Sequence, residues 1–389
     1  MRIVKFMIPL VFVGFLSCVQ PFDLVSIGTR SSIVVDAAIT DEAKTHVIKL
    51  SESFAIDTTL NTAIRGATVW IVDQDGNRED LTSGSVGGEY LTSDNFQALP
   101  GNDYTLHIIL PGGEKLVSRP ETLPDPVTLD RIYGRYVTIP SNEEAGEDRG
   151  VQFFVDASSE STEPARLRYN WIETYEVRSP YVSRFVFDFE QNLPVRRQDT
   201  IHICYRTIPN TELILTTAAG QAENRVQEIP LKFVDQTTQQ LSQMYSILVQ
   251  QFVLSADAHE YYENLEETNE GSGSLSDRQV GTFPGNITSE DNPEELILGY
   301  FEVSRFYEER VFFTPSQFDE YVQSPYPLCG ISQLDTLTTP ELVSEYVEFG
   351  KRFGILDQVT DFSWQISSRR CADCKEFGTY EAPDFWPEN

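Results

Sequence analysis

The chain has 389 residues, 40% hydrophobic and 12% aromatic, which supplies enough apolar side chain for real cores and excludes a disordered polymer. Lys and Arg total 29 against 60 Asp and Glu, a formal net charge of −31. That balance opposes binding of nucleic acid or anionic lipid head groups through a basic surface.

Arg2 and Lys5 precede an apolar run over 6–15, and Leu16-Ser17 lead into Cys18. A positive start, a short apolar centre and a small residue before the cut predict a signal peptide over 1–17. The run is too short to span a bilayer as a helix. The order Leu16-Ser17-Cys18 resembles the bacterial lipobox, which implies that Cys18 is acylated and becomes the mature N-terminus; Phe15 stands where leucine is commonest. Two or three acyl chains anchor a protein where one does not. Residues 18–32, polar and turn-rich, are the expected tether.

From Ile33 the pattern becomes strand and turn. Segments 33–39 and 46–50 are short β candidates, and 67–72 runs into Asp73-Gln74-Asp75-Gly76-Asn77, a hairpin signal. A calcium reading of Asp73, Asp75 and Asn77 fails on order, because in an EF-hand loop glycine follows the third ligand whereas Gly76 precedes Asn77. Segments 87–91 and 100–109 follow, with Tyr104, Leu106 and Ile108 on one face. Strands at this spacing predict a β-sandwich over 33–119. The order A-x-V-x-I-x-D-x-x-G over 67–76, G-x-Y over 88–90 and P-G-x-x-Y-x-L over 100–106 is similar to the transthyretin-like sandwich of carboxypeptidase regulatory domains. The resemblance implies that Gly88, Tyr90, Gly101 and Tyr104 shape the fold and carry no catalysis.

Pro120, Pro124 and Pro126 predict a stiff linker over 120–126, and a larger β-rich domain with a few short helices is expected over 127–389. Its strands are expected at 127–139, 151–156, 167–176, 200–206 and 213–217, with a mobile insertion at 178–199. Segment 245–254 reads as a buried strand. A helix follows, with Ser255 and Asp257 suited to its start and Ala258, Tyr261, Tyr262 and Leu265 on one stripe, until Gly271-Ser272-Gly273-Ser274 stops it. A second apolar strand covers 296–306. Short helices are expected at 315–322 and 340–349, the latter with Leu342, Val343, Tyr346 and Phe349 as a packing stripe, and a last strand at 361–367. Phe385 and Trp386 are expected to dock on the body rather than stand in water.

Four cysteines remain after Cys18, and in an exported chain Cys204, Cys329, Cys371 and Cys374 predict two disulfides with three possible connectivities. Zinc or redox chemistry at Cys371-x-x-Cys374 is disfavoured by the absence of a nearby His or a βαβ pattern. The expected role is to staple the C-terminal tail to the body through Cys204 and Cys329, in an order that sequence leaves open. No metal and no cofactor is expected. His46, His107, His202 and His259 form no H-E-x-x-H, and no G-x-S-x-G elbow or P-loop occurs, so no catalytic residue is nominated. His259 reads as an exposed helical residue, and the sequon Asn286-Ile287-Thr288 as incidental.

The runs at 245–265, 281–287 and 292–304, with the C-terminal CADC at 371–374 and FGTYEAPDFW at 377–386, resemble the outer-membrane lipoprotein family of Bacteroidota catalogued as domain of unknown function 4249. The likeness spans roughly 18–389 and implies location and company, not chemistry: members are typically encoded beside TonB-dependent transporters. The expected function is that of a lipoprotein on the outer membrane, at the cell surface, acting as accessory or ligand-capture partner of such a transporter, with contacts supplied by 127–389. Alternatives are an envelope docking module and a hydrolase without a recognisable motif.

Overall fold

The computed structural model describes residues 32–53, 62–141, 146–270, 284–319, 329, 334–348 and 353–387. Cys18, the signal peptide and nearly all of the tether lie outside the described residues. The architecture is mainly β, as expected: two sandwiches in sequence and a small third sheet on the flank of the second.

Alternation builds the first sandwich. Val35, Ala37 and Ile39 on Ser32–Thr40 face inward, as do Ile48 and Leu50 on Val47–Ser53 and Tyr104, Leu106 and Ile108 on Asp103–Ile109. Thr68–Asp73 pairs with Asp103–Ile109 on the facing sheet. The two motif tyrosines act through their hydroxyls. Tyr90 donates to the carbonyl of Ile64 at 3.0 Å and accepts the amide of Ala67 at 2.9 Å; Tyr104 accepts the amide of Leu99 at 2.7 Å. Gly88 is needed because its φ is 83° and a Cβ there would stand 2.6 Å from the carbonyl oxygen of Leu50. His46 is buried at the sandwich end, where its Nε2 accepts the Thr40 amide at 2.9 Å. Burial, and then the charge of Lys44, lower its pKa to about 4.

The second sandwich packs the antiparallel sheet containing Arg166–Arg178, Tyr245–Val253 and Ile203–Pro209 on a three-stranded sheet of Thr128–Pro140, Glu147–Ser158 and Arg225–Asp235. Phe153 sits at its centre, stacked on Tyr245 at 5.0 Å and tilted against Phe313 at 4.8 Å. Rings of this size fully removed from water each contribute about 1.5–3 kcal/mol.

One strand serves both sandwiches. Ile297–Phe313 runs for 17 residues; its first half pairs in parallel with Ser32–Thr40, Ile297 opposite Ile33 and Ser304 opposite Thr40, and its second half pairs antiparallel with Tyr245–Val253. Gly299 permits the close approach, at φ 105°, where a Cβ would lie 1.9 Å from the carbonyl oxygen of Val35. Ile287, Ile297, Phe301 and Val303 accordingly belong to the first core, and Ile287–Ser289 pairs with Lys115–Ser118. The first sandwich is therefore not confined to 33–119, and 127–389 is not a self-contained unit. The prolines of 120–126 mark where the chain first leaves the sandwich, before its core is complete. Nor is that segment a free linker: Glu121–Thr122 pairs with Asp103–Ile109, and the buried Glu121 carboxylate accepts from Tyr300, from Ser255 at 2.9 Å and from Asn286 at 3.0 Å.

The expected helix forms as Ala256–Glu270. Ser255 Oγ accepts the Ala258 amide at 3.1 Å, and Ala258, Tyr261 and Tyr262 pack beside Leu254 and Tyr300, while Leu265 is exposed. Tyr262 and Arg168 converge on Glu302, a fully buried carboxylate that the guanidinium holds at 2.9 and 3.0 Å, which ties helix to both sheet halves. Of the helix expected over 315–322, the described residues 315–319 form a 3₁₀ turn, Pro315–Gln317, and 320–322 lie outside the described residues.

Candidate functional site

The segment 178–199 is an ordered hairpin rather than the expected mobile insertion. Phe185–Asp188 and Leu193–Arg196 pair antiparallel, Phe185 opposite Arg196 and Asp188 opposite Leu193. The turn is fixed by Asp188, whose Oδ1 accepts the amides of Gln191 at 3.0 Å and Glu190 at 2.8 Å; these bonds hold its carboxyl below the usual range. Asn192 takes φ 55°, a conformation that asparagine tolerates.

The hairpin joins Phe353–Thr360, Phe185 opposite Ile355, and the sheet continues through Ser363–Ser368 to Leu334–Leu337. Helix Pro340–Glu348 covers it, burying Val343 with Phe187, Leu337, Ile355, Trp364 and Ile366, while Leu342 faces water and Phe349 lies outside the described residues. Two disulfides clamp this lobe to the body: Cys204 with Cys374, Cα atoms 5.5 Å apart, and Cys329 with Cys371, 5.6 Å apart. Tail and body are thus stapled as the sequence suggests, and the open order is settled. The terminal rings divide: Trp386 is buried against Tyr205 and Phe312, whereas Phe385 stays partly exposed beneath the guanidinium of Arg310, 3.6 Å from its centroid.

Between the hairpin and the disulfide-bonded turn lies a cleft of about 470 Å³. Val186, Phe187, Phe189, Ile201, Val347 and Phe353 give it apolar walls, and Arg197, Arg369 and Asp373 form one end. Phe189 stands at the rim, 59% exposed, edge-on to Phe187 at 5.0 Å. At the polar end Arg197 Nη1 donates to both carboxylate oxygens of Asp199 at 3.1 Å, and Arg369 Nε donates to Asp373 at 3.0 Å. Asp373 also accepts the Lys375 amide at 2.9 Å and the Tyr380 hydroxyl at 2.8 Å. Burial, reinforced by that bond to Asp373, pushes the Tyr380 phenol up to about 12. Arg197 Nε is different: it is buried and has no hydrogen-bond partner among the described residues. This arrangement can hold an apolar body and offer it guanidinium donors at one end. Its described lining brings no Ser, Cys, Lys or His to the cavity, and its one carboxylate is occupied.

Other residues singled out by sequence do not converge here. His259 is buried, contrary to expectation, with Nδ1 3.4 Å from Glu263, because the helix packs more of its circumference than its apolar stripe. Asp73 closes its hairpin by accepting the amides of Asp75 at 3.0 Å and Asn77 at 2.8 Å. Asn286 is buried, with its amide spent on Glu121 and on the backbone of Phe301. Among the described residues no cluster of three or more His, Cys, Asp or Glu could hold a metal ion. A second crease, of about 300 Å³, lies where Leu123, Pro124 and Val127 meet Pro164 and Leu254; none of its lining polar atoms is a buried orphan. Sequence reasoning missed Arg197, Phe187 and Phe189. The signal was present in the alternation Phe185-x-Phe187-x-Phe189 before a polar turn.

The family described as Domain of unknown function (DUF4249) matches residues 19–310. The chain belongs to the DUF4249 family. The DUF4249 match takes in both sandwiches, the shared strand as far as Arg310 and the 178–199 hairpin, but not the strands and disulfide-bonded turn that complete the lobe. No curated protein matches. A DUF4785 family protein from Legionella pneumophila is similar at 10% identity over 51% of this chain and 56% of its own, with a TM-score of 0.19, too low to bear on fold or function. The chain thus spans little more than half the length of that protein. No helix among the described residues is long and apolar enough to cross a membrane, which says nothing of crossing by strands.

Proposed function

We propose that this protein is a Bacteroidota outer-membrane lipoprotein, anchored at the cell surface through Cys18, that captures a small ligand in the lobe cleft as accessory partner of a TonB-dependent transporter. The observation that carries the reading is where the cleft lies. Ser32–Thr40 begins beside the start of the long strand, while the row Tyr175, Tyr245, Phe313 stands at its other end and Cys204, opposite Val177, lies one step beyond. A 17-residue strand extends roughly 50 Å, so the chain's entry and its cleft sit at opposite ends of the molecule. A lipid at the first end would present the second away from the membrane, where ligand and barrel are met. Two disulfides favour an oxidising compartment, consistent with export. Within this reading the first sandwich is a transthyretin-like spacer, and confinement to the membrane plane raises its encounter rate with a neighbouring barrel, so weak contacts suffice.

The test is a pull-down of the full chain from solubilised outer membrane with protein identification. A TonB-dependent transporter in near-stoichiometric yield is the expected result, with Cys18→Ser abolishing acyl labelling and membrane retention. Unchanged labelling in Cys18→Ser removes the anchor from the proposal, and recovery of envelope scaffold proteins without a transporter favours the docking reading.

A further inference from the structure

Resting on the reading of the lobe as a capture site, we infer that the cleft takes a small molecule with a flat aromatic or branched aliphatic body and one oxygen acceptor, a carboxylate or a carbonyl, and rejects molecules whose polar group only donates. Size and wall chemistry select the body. A volume of about 470 Å³ walled by Phe187, Phe189, Phe353, Val186 and Val347 suits one or two fused rings, and rings prefer offset or edge-on contact with such walls.

The polar end selects the head group. Both oxygens of Asp373 are engaged, by Arg369 on one side and by Lys375 and Tyr380 on the other, and Arg369 Nε is committed to Asp373. The donors at this end are therefore the other N–H groups of two guanidiniums, Arg197 and Arg369, both of which line the cleft. Guanidinium groups donate and do not accept, so a ligand that brings an oxygen to that end gains charge-assisted hydrogen bonds while one that brings only N–H groups finds no acceptor there, Asp373 being engaged. Among four clefts of the described surface this is the one lined by two arginines.

Three probes share a naphthalene body and differ in head group: 2-naphthoate, 2-acetonaphthone and 2-naphthylmethylamine. Each is titrated into the disulfide-intact mature protein by calorimetry. Naphthoate and acetonaphthone are expected to saturate one site, and the amine to bind at least about tenfold more weakly, the ratio a single charge-assisted or buried hydrogen bond commands. Arg197→Met, which keeps the aliphatic stem and removes the donor, should weaken both acceptor probes about tenfold and leave the amine unchanged. Asp199→Asn, which keeps the guanidinium, should leave all three unchanged. Val186→Trp, at the exposed rim, should abolish binding; matching near-ultraviolet circular dichroism shows that the variants are folded. Equal affinity for the amine, indifference to Arg197→Met, or no binding of any probe up to its solubility overturns the inference. A transporter recovered in the pull-down alongside a cleft that binds no probe would sink the ligand class while leaving the partnership standing.

Discussion

The first sandwich and the stapled lobe reach order by different means. The sandwich buries a continuous core from Ile33 to Val303 and contains no disulfide, while the lobe has a core of six buried side chains and two cross-links. A core that small cannot by itself offset the chain entropy of ordering five strands and a helix. Cross-links relieve that shortage by restricting the unfolded chain. The two most exposed rings among the described residues, Phe189 at the cleft and Phe362, 73% exposed at the 361–362 turn, both belong to the lobe. Covalent support is what allows a small unit to leave apolar surface in water, and such surface is where binding is found.

The sharpest way to break this comparison is Phe301→Ala. Phe301 belongs to the first core although it lies far along the chain, and its loss should cost about 3–5 kcal/mol, read as a lowered denaturant midpoint with exchange protection lost first over residues 33–40. Protection lost first in the lobe would refute the assignment of that strand to the first sandwich. Next comes the double substitution Cys204→Ala with Cys374→Ala, expected to cost the lobe about 2–5 kcal/mol and to speed amide exchange over 185–196 and 353–368 while leaving both sandwiches protected. Equal loosening of the sandwiches would show that the staple holds the whole molecule. The smallest effect separates the regions by pH. His46 titrates near 4 in the folded chain against 6.5 unfolded, so the unfolded state binds the extra proton between those values. Its contribution is complete above pH of about 6.5 and drains away as pH falls through about 4. His46→Gln should flatten that stretch of the first sandwich's stability curve and leave the lobe's unchanged.

What the sequence made legible was local. Period-two alternation in 33–39 and 104–109 located strands, Ser255 located a helix start, and four cysteines beyond Cys18 announced two cross-links. The pairing of Cys204 with Cys374 was not legible, because four cysteines allow three solutions and only the fold brings one pair of Cα atoms to 5.5 Å. The parallel pairing of Ile297 with Ile33 was equally hidden: both strands are apolar, and nothing local states which partner each takes across so long a stretch. Pro120, Pro124 and Pro126 misled because proline marks a change of direction, which need not be the end of a core. In the site, the Phe185 to Phe189 alternation was readable, but the meeting of Arg197 with Arg369 at one end of the cleft was not, because the two stand far apart in sequence and only the fold brings them to one lining.

The strand Ile297–Phe313 also dictates an order of events during biogenesis. Because residues 297–304 supply an edge partner and three inward side chains to the first core, a chain emerging from its N-terminus cannot close that core until residue 304 has been delivered. The earliest residues must wait, exposing the hydrogen-bonding edge of Ser32–Thr40 to any strand that passes. Delayed long-range closure of this kind slows folding and invites mispairing, and a protein built this way depends on being kept from its neighbours until its last third arrives.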